Sequence, residues 1–127
     1  MQKVVMDTDI VIDFLRTGNG PFLHLLELQE KEKIEMYISS VTVMELFAGE
    51  MKKKQIDILG SLITVFTIIP FETRLAQFCG ELKRGKKLDV LLADFIIGTT
   101  AIYLNAKLAT RNKRHFSQLS GIRFFET

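Results

Sequence analysis

The segment Met6-Asp7-Thr8-Asp9-Ile10-Val11-Ile12-Asp13 gathers three aspartates into seven residues, directly behind the apolar pair Val4-Val5. Carboxylates are hard oxygen donors of the kind that hold magnesium or manganese, ions that keep several waters when bound this way. Asp7 follows what reads as the last residue of a strand, so its side chain is expected at the strand's carboxyl edge, with a turn or cap role as the alternative. Asp9, or Thr8, suits the N-cap of a helix starting near Ile10, where a side-chain oxygen accepts the free amides of the first turn. Asp13, four residues beyond Asp9, is expected to be solvated or locally paired.

Two later acids carry the same potential. Glu45 closes the run Thr42-Val43-Met44-Glu45, which matches the capping-box spacing. A helix beginning near Ser40 would instead set Glu45 one turn in, facing the sheet edge, and both arrangements remain open. Asp94 lies in Asp89-Val90-Leu91-Leu92-Ala93-Asp94-Phe95-Ile96-Ile97-Gly98, where its helical-face neighbours Val90, Leu91, Ile97 and Gly98 are apolar. Asp89 is available to cap that helix, so Asp94 is free for other work. A buried carboxylate without a partner is costly, so Asp94 is expected to be paired or metal-bound. The basic cluster Lys83, Arg84, Lys86 and Lys87 offers the structural alternative, a buried ion pair.

Near the end, Thr110-Arg111-Asn112-Lys113-Arg114-His115-Phe116 brings a hydroxyl, an amide carbonyl and three cations together. Cations beside clustered carboxylates suit a polyanion held over a metal. By itself such a run is ordinarily a solvated loop, and His115 is expected at the surface or in packing.

Positioning these groups falls to short apolar runs alternating with helical patterns. Strands are predicted at Val4-Val5-Met6, Met36-Tyr37-Ile38, Val65 to Ile69 and Lys107-Leu108-Ala109, with Arg123-Phe124-Phe125 as a terminal edge strand. Helices are predicted near Ile10, over Pro21 to Lys33, Val41 to Lys53, Gln55 to Leu62, Phe71 to Arg84 and Val90 to Leu104. Strands separated by helices imply a parallel sheet covered on both faces, an α/β class fold. Ligands of such sheets bind outside the carboxyl ends of the strands. Asp7, the Ser39-Ser40 helix that carries Glu45, and Thr110-Arg111-Asn112 all fall on that edge.

The chain has 127 residues, which suits a single domain over 1–127. Its 47% hydrophobic and 25% charged residues are ordinary for a soluble globular protein. A net charge of +2 means that any nucleic-acid footprint must be local. Cys79 stands alone, which excludes an internal disulfide or a cysteine zinc cluster and fits a reducing cytoplasm. No apolar run reaches the roughly 18–20 residues of a membrane span. Gly18-Asn19-Gly20 lacks the spacing of a dinucleotide fingerprint, and no Ser-His-Asp or Cys-His arrangement offers a side-chain nucleophile.

Four segments in order, Val4-Val5-Met6-Asp7-Thr8-Asp9, Ile38 to Leu46, Asp94-Phe95-Ile96-Ile97-Gly98-Thr99-Thr100-Ala101 and Leu108-Ala109-Thr110-Arg111-Asn112 with His115-Phe116, resemble the PIN-domain ribonucleases. The likeness is specifically to the toxin component of VapBC-type toxin–antitoxin pairs and runs along nearly the whole chain. It implies a PIN-like α/β/α sandwich around a mostly parallel sheet of four to five strands. It implies Asp7, Glu45 and Asp94 as magnesium ligands, with manganese able to substitute, and Asn112 where many relatives carry a fourth acid. That departure puts a second metal site in doubt. Thr8, Thr110, Arg111, Lys113 and Arg114 are then the candidates for holding substrate. The implied activity is metal-dependent cleavage of RNA, in which two ions about 4 Å apart can activate water and steady the leaving oxygen. The implied partners are RNA, a small cognate antitoxin and a second copy in a homodimer. Two competitors remain: a haloacid-dehalogenase-like phosphatase, with Asp7 as nucleophile and Asp9 as acid/base, and an inert RNA- or protein-binding module. The first lacks the late acidic pair that such enzymes need. The intact acidic trio argues against the second.

Overall fold

The computed structural model describes residues 1–126. Its strands are β1 (Gln2–Met6), β2 (Ile34–Ser39), β3 (Thr67–Ile69) and β4 (Lys107–Ala109), and all pair in parallel in the order β3-β2-β1-β4. The helices are α1 (Thr8–Thr17), α2 (Pro21–Glu30), α3 (Ser40–Ala48), α4 (Lys53–Leu62), α5 (Thr73–Lys83), α6 (Leu92–Tyr103) and the short α7 (Lys113–Phe116).

The alternation of a strand puts successive side chains on opposite faces, and both faces of β1 are apolar. Val4 and Met6 join Met36, Ile38 and Ala109 in a core closed by residues such as Ile10, Val11, Phe22, Leu25 and Leu59 from α1, α2 and α4. Val5 joins Tyr37 and Leu108 in the opposite core, packed with Leu75, Phe95, Ile97 and Phe116. Such two-sided burial is why the strands read as continuous apolar runs. The architecture is the expected three-layer α/β/α sandwich.

Several boundaries differ from the predicted ones. Ile63–Val65 form a 3-10 turn, and Phe66 buries its ring against Phe22, so β3 starts only at Thr67. Arg123-Phe124-Phe125 makes one parallel bridge, Leu108 to Phe124, instead of a fifth strand. The reason is length: in the three-residue β4, Leu108 turns both its amide and its carbonyl to that segment. α3 stops at Ala48 with Gly49 extended, well short of Lys53.

Candidate active site

Asp7 is the deepest of the acids. Its amide donates to the Ala109 carbonyl at 2.9 Å, tying the end of β1 to the end of β4. The residue is 3% exposed, and its Oδ2 accepts from the Thr110 hydroxyl at 2.8 Å. Thr110 in turn accepts from the Asn112 amide at 3.0 Å. Burial pushes the pKa of the Asp7 carboxyl up from 3.8 to about 6, with the Thr110 hydroxyl opposing and the charges of Asp9 and Asp94 adding to it. Burial thus outweighs the repulsion of neighbouring carboxylates, to which Glu45 does not contribute.

Asp7 also occupies the N-cap position of α1, although its side chain makes no capping bond. The helix starts one to two residues earlier than expected, which removes the capping role from both Thr8 and Asp9. Thr8 is buried and its hydroxyl lies 2.8 Å from Glu45 Oε1 and 2.9 Å from the Thr42 hydroxyl. A hydroxyl carries one proton, so Thr8 donates to the carboxylate while Thr42 supplies the hydrogen to Thr8. Ser39 caps α3 by accepting from the Val41 amide at 3.0 Å. The capping box at Thr42 and Glu45 therefore does not form, and Glu45 sits one turn into the helix, aimed at Thr8.

Asp94 departs most from its expected environment. The helix begins at Leu92, with Leu91 at the N-cap position and Asp94 in the first turn. Asp89 does not cap it; its backbone amide and carbonyl instead bond the Gln118 side chain. An acid in the first turn is favoured by the amides that point there. The Asp94 side chain is 26% exposed, not buried, and its Oδ2 stands 3.2 Å from His115 Nε2. The partner is thus a histidine from α7, not the Lys83 to Lys87 cluster. Spacing carried no signal for His115 or Thr42, because each contact depends on two elements meeting.

Asp7, Asp9, Glu45 and Asp94 line one cavity of about 370 Å³, floored by Thr8. Yet among the described residues no three acidic, histidine or cysteine side chains come close enough to grip one ion together. The two observations agree once the contacts of each acid are considered: Asp7 accepts from Thr110 and Glu45 from Thr8, while Asp94 stands beside His115. The donor set is entirely oxygen, and magnesium is commonly held by one or two carboxylates with water completing the octahedron. The chemistry of the cavity therefore fits a hard divalent ion.

The expected cation patch is largely neutralised locally. Arg111 pairs with Asp13 of α1, and Lys113 pairs with Glu126 at 2.6 Å. Arg114 and His115 border a neighbouring hollow with Asn112, whose exposed side chain does not line the acidic cavity. Asn112 instead starts α7, its carbonyl accepting from the His115 and Phe116 amides at 3.1 and 3.3 Å.

The PIN domain family model matches residues 4–122. A ribonuclease of Methanocaldococcus jannaschii, VapC1, is 29% identical over 129 residues, spanning 98% of this chain and 88% of that protein. Among solved structures, VapBC2 from Rickettsia felis bound to a DNA fragment of its promoter superposes with a TM-score of 0.84 at 24% identity, over 98% of each chain. A toxin–antitoxin complex from Klebsiella pneumoniae gives a TM-score of 0.69 at 27% identity, over 98% of this chain and 99% of that one.

Proposed function

The chain belongs to the PIN-domain family, and from that premise we propose that it is a divalent-metal-dependent endoribonuclease, the toxin of a type II toxin–antitoxin pair. The observation that carries this is the cavity in which Asp7, Glu45 and Asp94, from three separate segments, face one space. Magnesium is its ion, with manganese able to substitute. Asp7, Glu45 and Asp94 are the residues that would hold it, directly or through its waters. When bound, such an ion lowers the pKa of its water and neutralises charge on a phosphoryl oxygen.

The protein's own groups prepare that chemistry. Thr110 fixes the Asp7 carboxylate, and Thr8, itself set by Thr42, fixes that of Glu45. A hydroxyl tether on each limits rotamer freedom that binding would otherwise have to remove. With a pKa of about 6, Asp7 is mostly ionised at neutral pH and becomes a ligand of full charge there. His115 Nε2 stands 3.2 Å from Asp94 Oδ2. Asn112, Arg114 and His115 border the adjoining hollow, where substrate phosphates can be met. Thr110 is buried against Asp7, so its role is to position that acid rather than to touch RNA.

The partners follow the same reading: RNA as substrate, a small cognate antitoxin, and a second copy in a homodimer, working in the cytoplasm. Met44 and Phe47 lie exposed on the helix of Glu45, and Leu91 and Leu92 lie exposed at the start of the helix of Asp94. Apolar side chains flanking a polar site in this way suit a covering protein surface. No helix among the described residues is long and apolar enough to cross a membrane.

Purified protein incubated with structured RNA tests the activity. Cleavage in magnesium or manganese that chelator abolishes, and that Asp94→Asn removes while the fold survives, is the expected result. Full cleavage in chelator overturns it.

A further inference from the structure

We propose that the amino edge of the sheet, the edge away from the acidic cavity, holds a second RNA contact: a phosphate-binding hollow formed by Lys3, Lys107 and Arg123. The hollow is about 470 Å³, and the amide side chains of Gln2 and Asn105 share its lining with the three cations, while no carboxylate does. Parallel pairing sets Val4 opposite Lys107, so the starts of β1 and β4 lie side by side. The Leu108 amide donates to the Arg123 carbonyl at 2.8 Å, which brings the third cation alongside Lys107.

Arg123 is held in place. One guanidinium nitrogen donates to the Asn105 carbonyl at 3.1 Å and to its side-chain oxygen at 3.0 Å. Asn105 adopts the left-handed conformation, φ 54°, as the chain turns from α6 into β4. Nε and Nη1 remain as donors, each able to meet a single phosphate oxygen.

Among the described residues no carboxylate lies within ion-pair distance of Lys3, Lys107 or Arg123, so the charge of the hollow is not neutralised by such a pair. Glu35 is opposite Lys3 in the sheet, but its carboxylate accepts from the Tyr37 hydroxyl. Lys107 shares the face of Val4 and Lys3 belongs to the opposite one, so cations reach the hollow at the end of the sheet from both faces, and the positive potential there favours a polyanion. Backbone phosphates of RNA are the ligand that fits, so this inference rests on the nuclease reading above. Lys3 and Asp7 are roughly 13 Å apart along β1, at about 3.3 Å per residue. Stacked nucleotides advance about 3.4 Å each, so only an RNA longer than a few nucleotides reaches both edges.

The test compares the parent with Lys3→Gln/Lys107→Gln, and with the triple variant that adds Arg123→Gln. The double variant keeps the Asn105 contacts, so it remains informative if the triple one unfolds. Binding of a single-stranded RNA of about 20 nucleotides would be followed against salt in chelator, and cleavage of that RNA and of a trinucleotide in magnesium. The salt slope of binding should shrink by about 0.7 for each phosphate no longer neutralised, about 1.4 for the double variant. KM for the long RNA should rise while trinucleotide cleavage stays unchanged. An unchanged slope, or equal falls on long and short RNA, overturns the hollow while leaving the nuclease standing. Parent protein that shows the slope effect but cleaves nothing preserves the hollow and overturns the nuclease.

Discussion

At the carboxyl edge of the sheet, Asp7 and Glu45 each rest on a dedicated hydroxyl, Thr110 and Thr8, and Asp94 stands 3.2 Å from His115. At the amino edge, Lys3, Lys107 and Arg123 face a shared hollow with no carboxylate among its walls. The acids are anchored and partly or wholly withdrawn from water, whereas Lys3 and Arg123 are exposed and Lys107 only half-buried. Withdrawn charge changes pKa values and stability, because desolvation acts on the ionised form. Exposed charge acts mainly through ionic atmosphere and is screened by salt. Carboxyl-edge changes should therefore appear in catalysis and in folding, and amino-edge changes only in RNA affinity and its salt dependence.

The largest effect should come from the acids. Asp7→Asn and Asp94→Asn should each lower RNA cleavage by on the order of 10²–10³-fold, the scale of removing a metal ligand worth several kcal/mol. Neutralising the amino edge should leave turnover of a trinucleotide within experimental error. Single-turnover rates on that substrate check both halves, and a comparable fall from Lys3→Gln/Lys107→Gln would erase the distinction between the edges.

Stability should separate them next. Asp7 is held at about 6 against an ordinary 3.8, so the folded chain binds its proton more tightly than the unfolded one. That preference favours folding in full below about pH 4 and is lost as pH rises through about 6. The ionised, buried Asp7 thus costs roughly 3 kcal/mol at neutral pH relative to acid, in chelator. Asp7→Asn escapes this, so its stability relative to the parent should improve by about that amount between about pH 4 and pH 7. Urea unfolding at several pH values measures it, and a pH-independent difference would place the titration elsewhere.

Packing beneath the carboxyl edge offers a third test. Gly98 on α6 lies against Phe116 and Leu119, and an added Cβ would run into Leu119 and come within 3.1 Å of Phe116. Gly98→Ala should cost about 1–3 kcal/mol by overpacking, less the roughly 1 kcal/mol that alanine gains over glycine inside a helix. Because Phe116 neighbours His115, the shift should also lower cleavage while the amino-edge salt slope stays constant. Thermal unfolding together with RNA titration distinguishes these outcomes.

The smallest change is Thr110→Val, which removes the hydroxyl that opposes the upward shift of Asp7. About 1 kcal/mol should be lost at neutral pH, and the pH at which stability falls should move upward. A shift in the opposite direction would mean that Thr110 does not stabilise the ionised form.

Much of this was legible along the chain. The apolar runs at Val4 to Met6, Met36 to Ile38 and Lys107 to Ala109 marked three of the four strands, because a parallel strand buried on both faces has no polar alternate residue to hide it. That Asp7, Glu45 and Asp94 would reach one edge of the sheet was legible because each directly follows, or lies one turn beyond, such a run or opens an apolar helix. Helix ends were less legible: Thr42-Val43-Met44-Glu45 has capping-box spacing, but the helix was already under way from Ser40.

What the linear order determined is local and chemical: which segments bury, which edge of the sheet receives polar groups, and that carboxylate oxygens gather there. What only the tertiary structure decided is the environment of each charge. Asp94 looked buried because its helical neighbours are apolar, yet the start of α6 leaves it half open beside His115, and Asp7 is the carboxyl that burial perturbs. Likewise Arg111 belongs to Asp13, while Lys3, Lys107 and Arg123, more than a hundred residues apart at their extremes, share one hollow. Titration and ion pairing depend on desolvation and on distances of a few ångströms across chain segments. Sequence separation does not encode those quantities; the packing of helices on a four-stranded sheet does.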